Sequence, residues 1–332
     1  MNKVKLFLWA QAFTDKVPET LSRTVFELIG TAAGLSNLRG VRRLRKNCRR
    51  IAPLSSGPGQ RLRSARIMRS YLRYYHGSLR LPALTAGQIR ARVRVDNLSV
   101  LRARLRSGSA AAALLHCGNW DLAGAWANME LAPVHTIAEK LSPPELADYF
   151  LDFRRKLGMT IYQAVKGGNS IGKLTADMRG GKCLVPLLCD RDLSATGVEV
   201  SLCGKTIRVA PGAAILAVRL GVPLIPVFIR EENFSSDRDR VRRAGSPWGI
   251  RITVGEPIPV PPKYRGKEKP SAEILRDLCQ KWMNQAEKFL TEYPEQWYML
   301  QKVFTEDLDP ARLAAAGAPA CGKDSFRRES VR

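Results

Sequence analysis

Histidine is scarce in this 332-residue chain, with three in all: His76, His116 and His135. The seven cysteines, Cys48, Cys117, Cys183, Cys189, Cys203, Cys279 and Cys321, include no Cys-x-x-Cys pair. A zinc site of the usual spacing therefore lacks ligands, and no metal is expected. The odd cysteine count and the apolar neighbours of these residues point to reduced thiols in a cytosolic compartment rather than a disulfide framework. No apolar run approaches the ~18 residues that a membrane-crossing helix needs. The first residues lack the charged–apolar–small pattern of a cleaved signal peptide, so none is expected. If the chain meets a membrane, it should lie on the surface rather than cross it. Acid is also short: 30 Asp and Glu stand against 54 Lys and Arg, for a net charge of +24.

That excess is uneven. Residues 1–108 hold 23 basic against 4 acidic side chains, leaving only +5 for the other 224 residues. So concentrated a charge calls for a polyanionic partner, either nucleic acid or anionic lipid headgroups. Each Lys or Arg held at an anionic membrane is worth about 1 kcal/mol. The run Leu6-Phe7-Leu8-Trp9-Ala10, set among Lys3, Lys5 and Lys16, suits either a helix at a membrane interface or a first core helix. Val41, Leu44, Cys48 and Ile51 form one stripe of a helix otherwise covered by Arg and Lys. Leu62, Ala65, Met68, Leu72 and Tyr75 repeat that pattern over 60–80. Helix-turn-helix, zinc-finger and RNA-recognition signatures are absent and aromatic interleaving is sparse, so the basic region is read as a lipid-facing one and nucleic-acid binding is the competing reading from a different class.

From residue 109 the pattern changes to alternating strands and helices. Strands are expected at Ala110–Leu115, from His135, and at Met159–Val165, Cys183–Cys189, Pro223–Ile229 and Ile250–Val254. Helices are expected after Asn119 through Trp126, from a Ser142 cap to Leu157, and over Ser170–Met178, Pro211–Leu220 and 271–290. This alternation predicts an α/β fold: a single domain with a central mixed sheet flanked by helices and basic amphipathic helices ahead of it. The division expected is a basic helical region over 1–108, the α/β core over 109–305 and a loose tail over 306–332.

The chemistry centres on His116-Cys117-Gly118-Asn119-Trp120-Asp121. A buried strand runs into His116, Gly118 permits a tight turn, and Asn119 can cap the helix that follows. Ligands bind at this end of a strand in α/β folds. Acyl transfer to an alcohol needs a base near neutral pKa to take the hydroxyl proton, and histidine is the usual choice. It also needs N–H donors for the oxyanion, which a helix N-terminus can supply, and a carboxylate to hold the imidazole. Asp121, in the first turn of the next helix, could reach back to serve.

His116-x4-Asp121 resembles the first motif of the glycerolipid acyltransferase superfamily. The fuller run HCGNWDLAGAW is similar to the branch of bacterial lipid A late acyltransferases and resembles actinobacterial phosphatidylinositol mannoside acyltransferases most. Residues 136–140, Phe153–Gly158, Cys189–Val200 with Gly204, Pro211–Pro223 and Tyr293–Leu300 resemble further segments of that branch, so the likeness spans about residues 1–305. The resemblance implies that His116 is the general base and that Asp190 or Asp121 is its acidic partner. It also implies polar substrate-binding positions at Glu139 and Arg154, with Thr196 and Arg219 as further acyl-donor candidates. It implies acyl-CoA as donor substrate, no other cofactor, and a sugar hydroxyl of a phosphatidylinositol mannoside as acceptor. A lipid A-type precursor or another glycolipid is the alternative acceptor. Transfer is expected in one step, without an acyl-enzyme, because Cys117, beside His116 on a strand end, should point away from it. The expected location is the cytoplasmic face of the plasma membrane, held peripherally on an anionic surface; oligomeric state is not readable. Among the other histidines, His76 is expected to cap a helix C-terminus and His135 to be structural. Trp120 and Trp126 could line an acyl pocket, with core packing the favoured reading.

Overall fold

The computed structural model describes residues 3–53, 56–139, 144–164, 168–192 and 197–308. Four helices come first: α1 (Lys3–Lys16), α2 (Glu19–Leu35), α3 (Arg39–Ile51) and α4 (Gly57–Arg80). Helix α5 (Ala86–Arg92) leads into β1 (Val93–Asp96), and α6 (Leu98–Arg106) into β2 (Ala110–Leu114). Then come α7 (Trp120–Glu130), β3 (His135–Glu139), α8 (Pro144–Lys156), β4 (Thr160–Ala164), α9 (Ser170–Gly180) and β5 (Leu184–Leu188). The chain continues through β6 (Val198–Leu202), β7 (Lys205–Val209), α10 (Gly212–Leu220), β8 (Leu224–Asn233), α11 (Arg238–Ala244), β9 (Trp248–Val254) and α12 (Ala272–Glu292).

Five strands form the central sheet in the order β1-β9-β8-β2-β5. The β8–β9 pair is antiparallel and the other pairs are parallel, so the sheet is mixed. Strand β2 lies inside it, buried throughout, and its sequence explains the layering. Ala111, Ala113 and Leu115 face the core shared with α9, α10 and α12, while Ala110, Ala112 and Leu114 face the core shared with α7. The alternation is that of a strand covered on both faces. Four alanines in a row let both layers approach closely. Strands β3 and β4 form a parallel pair of their own. That pair meets the main sheet through the Val134–Leu184 bridge and a 2.6 Å hydrogen bond from Thr136 Oγ1 to the Pro186 carbonyl. The β6–β7 hairpin lies against α12.

Helices α2 and α4 touch backbone to backbone. A Cβ on Gly30 would stand 2.6 Å from the Met68 carbonyl oxygen, and one on Gly34 would stand 2.4 Å from Ala65 Cα. Val41, Leu44, Cys48 and Ile51 of α3 are buried, as are Ala65 and Met68 of α4. The stripes of these two basic helices therefore face mainly into the protein, although Leu62 is exposed. The exposed apolar residues lie mostly elsewhere: Leu6, Leu8 and Trp9 on α1, and Leu21, Leu28, Ile29 and Leu35 on α2. Much of the N-terminal charge is also used internally. Arg73 pairs with Glu231 and Glu27, Arg92 with Glu19, and Arg50 with Glu306 and Asp307.

Two expected boundaries differ. Strand β1 comes from within the first 108 residues yet forms an edge of the main sheet through its pairing with β9, because Val93 and Val95 pack on its core. At the other end, Glu306 and Asp307 are tied to α3. The rest of the expected tail, from 309 on, lies outside the described residues, as does the Ser142 cap of α8.

Candidate active site

Strands β2 and β5 are parallel neighbours in register, with Leu114 opposite Leu188. Two residues beyond that last pair stand His116 and Asp190, so the sheet itself sets them side by side. His116 Nδ1 lies 2.5 Å from Asp190 Oδ1, and the His116 backbone N–H donates to Asp190 Oδ2 at 3.0 Å. The Trp297 indole N–H donates to the same Oδ2 at 2.8 Å. Asp190 is fully buried. Burial pushes its carboxyl up, but the charge of His116 and the hydrogen bonds from His116 and Trp297 outweigh that and hold it below the usual carboxylate range. With Nδ1–H given to this carboxylate, Nε2 is the basic nitrogen of the ring.

The turn after His116 is tightly built. Gly118 has φ +61°, and a Cβ there would stand 2.8 Å from the Ile229 carbonyl oxygen, so glycine is required on both counts. Asn119 Oδ1 accepts the Leu122 N–H at 2.9 Å and caps α7 as its position predicts. Cys117 is wholly buried, and burial pushes its thiol well up, with the Asp190 charge adding to the effect. A thiol so placed is held in its neutral form.

Asp121 does not pair with His116. Its Oδ2 accepts from Tyr74 at 3.0 Å and Ser78 at 3.2 Å, and its Oδ1 from Arg154 Nε at 2.8 Å. Tyr74 and Ser78 are one helical turn apart on α4, so both reach the same carboxylate. The Asp121 side chain thus faces α4 and α8 rather than the His116 ring. Burial pushes the Tyr74 hydroxyl well up, with the charge of Asp121 reinforcing it, so Tyr74 stays a donor.

His116 lies on the wall of a cavity of about 390 Å³. The lining is mostly apolar and follows α7 from Trp120 through Gly124 and Ala127 to Leu131. Arg154 and Arg191 are among its charged members, and Tyr71, Tyr75 and Tyr298 add an aromatic group. Trp120 and Trp126, favoured as core residues, also line this cavity. The Trp120 ring meets His116 edge-on, 5.7 Å between centroids.

The other residues singled out by the sequence divide. Glu139 closes β3, but its side chain is outside the described residues, and so is Thr196. Arg219 is not brought to the cavity. At the end of α10 its Nε donates to the Glu268 carbonyl at 2.8 Å and its Nη1 to Thr175 at 3.3 Å. His76 is not a C-cap, because α4 runs on to Arg80. It is buried mid-helix with Nε2 2.9 Å from Ser22 Oγ. His135 is structural, with Nδ1 2.7 Å from Asp177. Gly168-Asn169-Ser170-Ile171-Gly172 spells Gly-x-Ser-x-Gly. Ser170 nevertheless opens α9 behind an Asn169 cap and donates to the Gln163 carbonyl at 3.0 Å. It is not among the residues that line the His116 cavity, and its hydroxyl is tied to main chain rather than to a base. Sequence reasoning missed Trp297, whose segment stood out only by resemblance, and the six cysteines among the described residues are free thiols as expected.

Comparison with known proteins gives this geometry its class. The family model described as bacterial lipid A biosynthesis acyltransferase matches residues 4–239, and the chain belongs to that family. It is an acyltransferase. A phosphatidylinositol mannoside acyltransferase of Mycolicibacterium smegmatis is 28% identical over 304 residues, covering 91% of both chains. One from Mycobacterium tuberculosis strain H37Rv is 28% identical over 280 residues, 83% of this chain and 80% of its own.

Proposed function

We propose that the protein moves a fatty acyl group from acyl-CoA onto a sugar hydroxyl of a phosphatidylinositol mannoside glycolipid, with His116 as the general base. One observation carries the reading: His116, its Nδ1 tied to a buried carboxylate, stands on the wall of a long apolar cavity. In the proposed reaction the acyl chain occupies the cavity and its thioester carbonyl lies near Nε2. Nε2 takes the proton of the acceptor hydroxyl as the oxygen attacks that carbonyl, and Asp190 stabilises the imidazolium. The oxyanion is met by N–H groups of the first turn of α7. Collapse expels the CoA thiolate, which takes up the proton. The neutral, buried Cys117 supports direct transfer rather than an acyl-cysteine. We assign Asp121 the task of positioning Arg154, and Arg154 contact with a polar group of donor or acceptor. Glu139 and Thr196 remain assigned to substrate binding through the family resemblance.

We further propose that the protein works peripherally at the cytoplasmic face of the plasma membrane. Among the described residues no helix is long and apolar enough to cross a membrane. Trp9 is 63% exposed and Leu28 65%. An apolar surface of this kind on α1 and α2, beside a strongly basic region, fits insertion into an anionic interface.

The test is acyl transfer from palmitoyl-CoA to a panel of phosphatidylinositol mannosides, a lipid A precursor and other glycolipids, with His116→Ala as control. Transfer to the mannosides that His116→Ala abolishes is the expected result. Transfer to the lipid A precursor alone would reassign the acceptor, and an active His116→Ala would remove the base.

A further inference from the structure

Beyond the pairing of His116 and Asp190, the structure assigns Trp297 as the residue that positions the dyad, through a segment more than a hundred residues away from either partner. The assignment rests on the reading of His116 as the base.

Among the described residues, three hydrogen bonds reach Asp190. Two come from His116, through its ring and its backbone N–H, and the third comes from the Trp297 indole at 2.8 Å. The sheet sets the Asp190 backbone beside His116, and two donors from that one residue hold the carboxylate from one side. The third fixes it from outside. Trp297 is itself held immobile: it is fully buried, and it follows the short turn Pro294–Gln296. Its backbone forms an antiparallel bridge with Cys117, and the next N–H, of Tyr298, donates to the His116 carbonyl at 3.0 Å. Farther along, Asn47 of α3 donates to the carbonyls of Met299 at 2.9 Å and Gln301 at 2.8 Å. The segment is therefore a strap that grips the His116 turn by its main chain and Asp190 by one side chain.

The indole bond has a chemical consequence. It occupies Oδ2, so Oδ1 is the oxygen that faces Nδ1 and the tautomer with a basic Nε2 follows. It also offsets part of the burial of the carboxylate, which must remain an anion while the imidazolium forms. Arg191 and Asp192 follow Asp190 in the chain, and two buried thiols lie close to it. The thiols of Cys117 and Cys189 are pushed up by burial, Cys189 to about 12, and both stay neutral.

Replacing the indole N–H should therefore do two things. With Trp297→Phe, kcat for acyl transfer from palmitoyl-CoA to a phosphatidylinositol mannoside should fall about ten- to a hundredfold, the range of a hydrogen bond to a charged group, with KM little changed. The acid limb of kcat/KM should move to higher pH, because a carboxylate that loses a donor holds its proton more tightly; the limb reports the coupled His116–Asp190 pair. In an Asp190→Asn background the same substitution should have little further effect on kcat. Replacement of Trp297 by 3-benzothienylalanine keeps the shape and exchanges N–H for sulfur, so it answers the question even where phenylalanine loosens the fold. An unmoved acid limb, or losses that multiply with those of Asp190→Asn, would overturn the assignment and leave Trp297 as packing alone. An active His116→Ala in the same assay would instead defeat the reading of the base, which separates the two failures.

Discussion

If the acyl chain lies in the cavity beside His116, its length should be measured by α7. The lining follows that helix from Trp120, against the His116 ring, to Leu131 at its end. At ~1.5 Å per residue, Ala127 stands ~10 Å along the axis from Trp120 and Leu131 ~16 Å. Ala127→Leu adds three carbons at the middle depth of that lining. A chain that reaches that depth loses about three buried methylenes. At ~0.8 kcal/mol each this is about 2.4 kcal/mol, or roughly fiftyfold in kcat/KM. A chain ending short of Ala127 loses nothing. The assay is a series of acyl-CoA donors from eight to eighteen carbons, competed in pairs against one glycolipid acceptor. Palmitoyl transfer should fall about fiftyfold relative to the shortest donors, and Leu131→Ala, which opens the far end, should favour longer chains. Because both substitutions are remote from the dyad, the shortest donors serve as an internal control for folding. An equal loss for all donors would refute the reasoning, since it would mean that no part of the chain lies along α7.

Other consequences are more local. Cys117→Ser should retain most of the wild-type transfer rate and leave no hydroxylamine-sensitive acyl adduct; an inactive variant would revive the acyl-cysteine route. Asp121→Ala leaves Arg154 buried without its carboxylate, and urea unfolding should register a loss of about 3–5 kcal/mol, the cost of breaking a buried pair; a change below 1 kcal/mol would show that the two are not coupled. His76 is pushed down from 6.5 to about 4, by burial first and then by the charge of Arg23. The unfolded chain thus takes up a proton that the folded one refuses, so stability is full above pH ~6.5 and falls as pH drops to ~4, by about 3 kcal/mol. His76→Asn should flatten that part of the unfolding profile, and an unchanged slope would assign it to other groups.

The parts of this molecule that were legible in sequence are those with local causes. The strand of β2, the Gly118 turn and the Asn119 cap are written in consecutive residues, and the α/β alternation follows from apolar runs and their spacing. The partner of His116 was less legible because the His-x4-Asp spacing names a neighbour in the chain, whereas the partner is a neighbour in the sheet. The Asp121 side chain faces α4, and Tyr74 and Ser78, more than forty residues earlier, decide what it binds. The signal for Asp190 was present but indirect. Two buried runs of similar length, each ending in a polar residue two positions past its last paired leucine, give the dyad once they are taken as parallel neighbours. Nothing local could add Trp297, since its indole matters only after the C-terminal strap has closed on Cys117. The basic helices show the same limit from the other side. Their charge predicted a surface, but charge density does not say which face is already occupied. Gly30 and Gly34 bring α2 onto α4, α3 turns its stripe inward, and many arginines find acids within the fold. Among the described residues, the outer side of α1 and α2 leaves leucines and a tryptophan exposed, and this is the side on which the proposed membrane docking rests. The sequence shows that side only as ordinary apolar helix, because the choice between core and interface is made by what packs opposite.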